Sequence, residues 1–121
     1  MRFFYCMNNK PKRKVYVKSG SWIAAIAARK LRTDTVAIVI GRTIHLYNAS
    51  VQSFLSNKCW LLHELKHVEQ YEQLGFFRFI YTYLRESMKN GYHGNVLEVE
   101  ARRAEQETTL LEKYELVSAQ Q

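Results

Sequence analysis

The stretch Cys59–Gly75, CWLLHELKHVEQYEQLG, carries two histidines four residues apart, with a glutamate directly after the first. Its apolar residues recur at helical spacing, and a glycine follows the last of them, which is typical of a helix end. The stretch is therefore predicted to form a helix from about Lys58 to Leu74. On such a helix His63 and His67 share one face, one turn apart, and Glu64 lies about 100° further round.

The H-E-x-x-H spacing of this helix suits a catalytic zinc ion. Two imidazoles on one helix face can bind a single ion, and catalytic zinc keeps three protein ligands and one open position. The ion lowers the pKa of its bound water to about 7, and the carboxylate of Glu64 can take the proton. The alternative is a buried helix whose histidines bond to backbone or carboxylate groups. Because the motif lies within a helix with a partly apolar surface, we predict a zinc site at His63 and His67.

The third ligand must come from elsewhere in the chain. The metzincin pattern requires glycine at position 70 and histidine at position 73, and this chain has Gln70 and Gln73. The only aspartate, Asp34, precedes the helix, which excludes a downstream aspartate. The downstream candidates are one histidine and four glutamates, namely His93, Glu86, Glu98, Glu100 and Glu105.

A second motif, EVEAR at residues 98–102, follows HELKH after about thirty residues. The two motifs in this order resemble those of the gluzincin metallopeptidases, and the chain is similar in size to minimal gluzincin-like proteins of bacteria. The resemblance covers roughly residues 22–111. It implies that Glu98 is the third zinc ligand and Ala101 the small residue after it. It also implies that Glu64 is the general base and then the general acid in hydrolysis of a peptide or protein substrate.

Arg102 departs from the second motif, because gluzincins often have an aspartate there that orients a ligand histidine. Arginine cannot accept a hydrogen bond, so another acceptor is expected to replace the aspartate. Glu100 remains an alternative ligand, since it lies at the other margin of the apolar face of its helix. Tyr92 and His93 precede that helix in a predicted turn, where either could stabilise the oxyanion formed on attack. Their alternative roles are a packed aromatic and a surface histidine.

The sequence before the metal helix predicts a helix and then a β-hairpin. Residues 19–34 carry apolar residues at helical spacing behind serine caps. Residues 35–40 and 43–48 are predicted strands, joined by a two-residue turn at Gly41-Arg42. By resemblance to the gluzincins, the second strand is expected at the sheet edge, where it would align a peptide substrate through main-chain pairing. The residues of that substrate strand are Thr43, Ile44, His45, Leu46 and Tyr47.

Two further helices are predicted, over residues 76–90 and from about 96 to 114. The expected fold is α+β and zincin-like, with an N-terminal helix, a β-hairpin or small antiparallel sheet, the metal helix and these two helices. Residues 1–18 are expected to form a basic arm that includes a short strand, and residues 19–121 a single domain. The aromatic stretch FFRFIYTYL at residues 76–84 is expected to form core, with contact to a membrane surface as the alternative.

Composition narrows the functional classes. The two cysteines cannot form a disulfide framework, and no apolar run approaches the roughly 18–20 residues of a membrane span. We therefore expect a cytoplasmic protein. The net charge of +7 can attract nucleic acid, but no recognised nucleic-acid motif accompanies it, so nucleic acid is not the expected partner.

The sequence leaves two other functions open beside peptide hydrolysis. One is a zinc-containing interaction domain without catalysis, and the other is a small basic nucleic-acid-binding protein with an incidental H-E-x-x-H. The residues at the end of the chain, 112–121, are expected either to lie across the cleft and keep an enzyme latent or to fray into solvent. The sequence makes no prediction about the oligomeric state.

Overall fold

The computed structural model describes residues 11–32 and 35–119, which form an α+β fold with five helices and a four-stranded mixed sheet. The strands are β1 (Arg13–Lys18), β2 (Val36–Ile40), β3 (Thr43–Tyr47) and β4 (Tyr114–Ser118). The helices are α1 (Trp22–Leu31), α2 (Val51–Ser56), α3 (Lys58–Leu74), α4 (Phe76–Gly94) and α5 (Val96–Arg103). Two 3-10 turns, Ala104–Gln106 and Thr108–Glu112, connect α5 to β4.

The sheet has the strand order β2-β3-β1-β4. The predicted hairpin is confirmed, since β2 and β3 are antiparallel neighbours. Gly41 begins its turn with a φ of 63°, a conformation that glycine adopts at little cost. The sheet as a whole is mixed, because β1 runs parallel to both β3 and β4. In this sheet β2 runs opposite to the other three strands, so of the two expectations the β-hairpin is confirmed and the small antiparallel sheet is wrong.

Residues 13–18, expected to belong to a basic arm, form the interior strand β1. Val15 and Val17 are fully buried, and the residues between and beside them face outward. The predicted short strand is thus confirmed, but its charged outer residues suggested a solvated arm rather than a strand in the interior of the sheet. The domain therefore begins before residue 19, which corrects the predicted boundary. Residues 1–10 of the expected arm lie outside the described residues.

The strand β3 is not at the edge of the sheet, which corrects its expected role in aligning a substrate. It pairs with β2 on one side and β1 on the other, and Ile44 lies between Val39 and Val17. His45 is buried, and its Nδ1 lies 2.9 Å from the hydroxyl oxygen of Ser21. Burial, together with the charge of Lys18, lowers the pKa of His45. On the side away from β2, strand β1 pairs with residues 43–45, and the backbone N–H of Ser21 donates to the carbonyl oxygen of Leu46 at 3.1 Å. The expectation of an edge strand is therefore wrong for the predicted substrate strand, which comprises Thr43, Ile44, His45, Leu46 and Tyr47.

Residues 114–118 form strand β4, and the last helix is shorter than predicted; residues 120–121 of the expected tail lie outside the described residues. Helix α5 ends at Arg103, and β4 pairs in parallel with β1, with Leu116 opposite Val15. Tyr114 and Leu110 are buried, which anchors this strand to the core. The residues of β4 therefore belong to the sheet and neither cover a cleft nor fray into solvent.

Helix α3 packs at the centre of the fold, as its apolar spacing predicts. Leu62, Leu65 and Val68 are fully buried, and they belong to the same core cluster as Ile44 of the sheet. The hydroxyl of Tyr71 donates to the carbonyl oxygen of a β2 residue at 3.1 Å. Contacts with the strands on one side and with the later helices on the other fix the position of α3.

The aromatic stretch of α4 forms core only in part, contrary to expectation. Phe79 is buried and stacks on Tyr71, with ring centroids 3.7 Å apart, whereas Phe77 and Tyr81 are exposed. The helical conformation breaks at Gly91, where the sequence predicts a helix end and where φ is 75°. Among the described residues, no helix has both the length and the apolar character to cross a bilayer.

Candidate metal centre

Two helices bring the predicted ligands together, and asparagines begin both. The side chain of Asn57 accepts a hydrogen bond from the backbone N–H of Trp60 at the start of α3. Asn95 caps α5 by accepting from the N–H of Leu97 at 2.9 Å. The amide of the fully buried Asn95 also donates to the carbonyl oxygen of Tyr83 at 3.0 Å, which ties α5 to α4. These caps fix where each helix begins, and so which side chains face one another.

His63, His67 and Glu98 form one compact group. The Nε2 atom of His63 lies 3.0 Å from Oε1 of Glu98, and the Nε2 atom of His67 lies 3.3 Å from Oε2. One ligand atom from each residue lies within 4.8 Å of the others. Two donors on a tetrahedral zinc ion, each about 2.0–2.1 Å away, are separated by about 3.3–3.4 Å. The group can therefore hold a metal ion, and two imidazoles with one carboxylate suit zinc.

Both histidines are oriented through their second ring nitrogen. Nδ1 of His63 lies 2.9 Å from Oε2 of Glu105, and Nδ1 of His67 lies 2.9 Å from Oε1 of Gln70. With Nδ1–H donated to these oxygens, each Nε2 faces Glu98: it donates its own N–H to the carboxylate while the imidazole is protonated, and its lone pair can bind a metal ion once that proton is lost. Glu105 and Gln70 thus supply the acceptors that Arg102 cannot supply.

Gln70 was missed by the sequence analysis as part of this group. It is almost fully buried, and its amide donates to the carbonyl oxygen of Leu97 at 3.0 Å and to Glu100 at 2.8 Å. Its position three residues after His67 on α3 was the available signal. Glu105 was considered only as a ligand, and its place beside Nδ1 of His63 depends on the turn that follows α5.

Tyr83 was also missed, and it holds the other side of Glu98. Its hydroxyl donates to Oε2 of Glu98 at 2.5 Å. Burial, reinforced by the neighbouring carboxylate, raises the pKa of Tyr83, so the hydroxyl remains a donor. The ring packs edge-on against His67, with centroids 6.3 Å apart. The sequence could have indicated Tyr83 by its spacing: it lies four residues after the buried Phe79, on the same face of the helix.

Glu100 and Arg102 lie outside the metal group, as we call His63, His67 and Glu98 together. Glu100 is exposed and accepts from Gln70, so the carboxylate that faces the histidines is Glu98. The guanidinium of Arg102 donates to the backbone carbonyl of His93, which braces the turn before α5.

The carboxylate of Glu64 is buried next to this group. Burial raises the pKa of Glu64 to about 7; the charge of Glu98 adds to the rise, and His67 and His63 oppose it. Burial disfavours the charge of Glu98 as well, but hydrogen bonds from His63 and His67 keep the pKa of Glu98 well below its usual range. Burial lowers the pKa of His63, but the hydrogen bond to Glu98 and the charge of Glu64 outweigh burial and raise the pKa to about 9. The two carboxylates together attract positive charge into the group.

An open pocket of about 360 Å³ leads to this group. Tyr92 lines it together with Glu64, and burial, followed by the charges of Glu98 and Glu64, raises the pKa of Tyr92 to about 12. Its phenol is therefore protonated at neutral pH and can donate a hydrogen bond. His93 is exposed and does not line the pocket. The lining residues are Asn57, Cys59, Trp60, His63, Glu64, Tyr92 and Glu105.

Comparison of the chain with family models, with curated proteins and with solved structures finds no match.

Proposed function

We propose that this protein is a zinc-dependent metallopeptidase of the gluzincin type, which hydrolyses peptide bonds. One observation carries the proposal: a single carboxylate, Glu98, faces the Nε2 atoms of both histidines of the H-E-x-x-H helix at 3.0 and 3.3 Å. The three residues would hold the ion, which leaves the pocket side for water and substrate.

The residues around the ligands support a catalytic role. Glu105 and Gln70 accept from the Nδ1 atoms and keep each histidine in the tautomer that binds metal through Nε2. Tyr83 holds one oxygen of Glu98. Such outer contacts preserve ligand geometry and typically change metal affinity by about 10–100-fold when lost.

The chemistry requires a proton carrier and a donor to the substrate oxygen. When bound, zinc would polarise the peptide carbonyl and lower the pKa of an attacking water. Glu64 accepts the proton from that water and then delivers it to the nitrogen of the departing amine. Its buried position beside the ligands places this carboxylate where it can exchange a proton with the water and with the amine. The phenol of Tyr92 can donate a hydrogen bond to the carbonyl oxygen as negative charge develops there.

The test combines zinc content with activity in Glu64→Gln. Wild type and variant should each contain about one zinc per chain, since Glu64 is not a ligand. Hydrolysis of a labelled, unfolded protein substrate should fall by about 10²–10⁴-fold in the variant. Glu100→Gln is the matched control, because it removes the same charge outside the metal group and keeps a side-chain oxygen that can accept from Gln70. Its activity should remain close to wild type.

The same measurements separate the proposal from the other functional classes. The protein would be a non-catalytic zinc domain if the folded, zinc-loaded wild type hydrolysed no unfolded protein and Glu64→Gln changed none of its measured properties. Binding to nucleic acid that requires no metal and weakens steeply with salt would indicate an incidental motif.

A further inference from the structure

The outer face of α4 is an apolar surface that no described part of the fold covers. Phe77 is 83% exposed and Met88 is 87% exposed, which is unusual for side chains of this size on a helix whose other side packs into the core. Contiguous apolar surface of this kind marks an interaction site. The residues of this face are Phe77, Ile80, Tyr81, Leu84 and Met88.

These side chains form one stripe along the helix. Phe77, Tyr81, Leu84 and Met88 recur at spacings of four, three and four residues, which places them on the same side. The stripe extends for about 17 Å along the helix axis. The opposite side carries Phe79, which packs on the metal helix. The outer face is therefore separate from the surface that α4 uses to hold the fold together.

A row of basic residues runs beside the stripe. Arg78, Arg85 and Lys89 lie seven and four residues apart, on one flank of the outer face. Within residues 11–32 and 35–119, the ion pairs of the structure involve none of these three cations. The acidic residue of this helix, Glu86, bonds instead to Asn90 and to the start of α5. The flank thus presents positive charge that is not neutralised by neighbouring side chains.

We propose that the outer face of α4 docks on the surface of an anionic lipid bilayer. A helix with an aromatic and aliphatic face and basic residues beside it lies in the plane of a membrane interface, with its cations at the lipid phosphates. Tyrosine is suited to this depth because its ring is apolar and its hydroxyl stays hydrated. The proposal does not depend on the metal group or on peptide hydrolysis.

Charge and shape favour a lipid bilayer over two other partners of an apolar helix face, a second copy of the chain and a helix of another protein. A second copy packed antiparallel on a two-fold axis would bring the same basic row against itself, and like charges at close range repel. A partner helix needs a groove between elements, whereas this stripe lies along the exposed side of a single helix. A flat, negatively charged surface matches both the stripe and its basic flank.

The test is co-sedimentation of the full chain with lipid vesicles. One set contains phosphatidylcholine alone, and the other contains about 30% phosphatidylglycerol in phosphatidylcholine. The partition coefficient of wild type should be at least about tenfold higher with the anionic vesicles, because each cation near the surface contributes about a fivefold gain.

Two double variants assign the binding to this face. Arg78→Glu/Arg85→Glu should lower binding to anionic vesicles by at least about tenfold, and Phe77→Gln/Met88→Gln should do the same by removing apolar contact. Lys12→Glu/Lys14→Glu changes the net charge by the same amount at exposed positions near and in β1, and should lower binding much less. Circular dichroism and thermal unfolding should be unchanged in the α4 variants, since their side chains are exposed.

Three results would overturn the proposal. The first is equal, weak binding of wild type to both kinds of vesicle. The second is an equal loss of binding in the α4 and β1 charge variants, which would show a response to net charge alone. The third is a dimer in solution that Phe77→Gln/Met88→Gln converts to monomer, without vesicle binding in either form. That result would assign the outer face to a second copy of the chain.

Discussion

Helix α3 carries two buried carboxylates whose pKa values shift in opposite directions: the pKa of Glu64 is raised and that of Glu69 is lowered. Burial raises the pKa of Glu64 to about 7, because no lysine or arginine is among the groups that oppose it. Burial also disfavours the charge of Glu69, but hydrogen bonds from Lys113 at 2.7 Å and Lys66 at 2.8 Å outweigh it, and the pKa of Glu69 is lowered. A buried carboxylate becomes a proton carrier only where no such cation fixes its charge.

The difference divides α3 into two halves with different roles. The half that contains Glu64 faces the pocket and the metal group, and from the other half Gln70 adds its contact with His67. The other half joins the helix to the strands: Glu72 accepts from Arg13 at 2.7 Å and from the hydroxyl of Tyr114 at 2.7 Å. These bonds hold β1 and β4 against the helix that carries the histidines. The structural half thus supports the reactive half, and each can be altered separately.

Loss of the third ligand should have the largest effect on the reactive half. Glu98→Gln is expected to weaken zinc affinity by more than about 100-fold. Loss of a residue that only contacts a ligand costs up to about 100-fold, and loss of a ligand should cost more. Glu100→Gln on the same helix should leave the affinity nearly unchanged, because Glu100 does not face the histidines. Competition with a zinc-binding dye measures both constants. A larger effect of the Glu100 change would show that the wrong carboxylate has been assigned.

Loss of an orienting residue should have a smaller effect on the same site. Glu105→Ala removes the acceptor 2.9 Å from Nδ1 of His63 and should weaken zinc affinity by about 10–100-fold. Glu107→Ala is the control, since Glu107 is exposed and lies 4.0 Å from Lys66. Affinities that are equal in the two variants would mean that the contact between Glu105 and His63 does not orient the ligand.

The structural half should respond in stability rather than in metal affinity. Glu69→Gln should lower the free energy of unfolding by about 1–2 kcal/mol at neutral pH, because two lysines lose a charged partner. The pKa of Glu69 in the folded protein lies below that of an unperturbed glutamate, so its contribution to stability is present above the unperturbed pKa. It is lost as the pH falls through the lowered folded pKa.

Denaturant unfolding of wild type and Glu69→Gln at pH 7 and about pH 3 measures this dependence. The difference between the two proteins should be larger at pH 7, and zinc affinity at pH 7 should be equal. Glu112→Gln, an exposed change of the same kind, should show little difference at either pH. A stability difference that grows toward acid would contradict the assignment of Glu69 to an ionised structural pair.

The sequence was most informative where the pattern is local. Helix α3 has the bounds that its apolar spacing and flanking glycine predict, and the hairpin lies where Gly41 places its turn. His63, Glu64 and His67 follow from spacing within one helix. The α+β class follows from the elements themselves.

The sequence was least informative where position depends on contacts between distant segments. β1 and β4 pair with each other across nearly the whole chain, so the place of β1 inside the sheet and the existence of β4 could not be predicted from their own residues. The strand β3 lies inside the sheet because β1 pairs with it, which is again a contact between distant segments. Gln70 and Tyr83 act through contacts with the metal group that require α4 and α5 to be in place.

The most direct test of the central claim, that His63, His67 and Glu98 hold zinc beside Glu64, is a crystal structure with anomalous data on both sides of the zinc edge. The account predicts one strong peak about 2.0–2.2 Å from Nε2 of each histidine and from a carboxylate oxygen of Glu98. Glu64 should lie next to the ion without coordinating it. A zinc-loaded crystal whose peak lies elsewhere, or is coordinated by Glu100 instead of Glu98, would contradict the account.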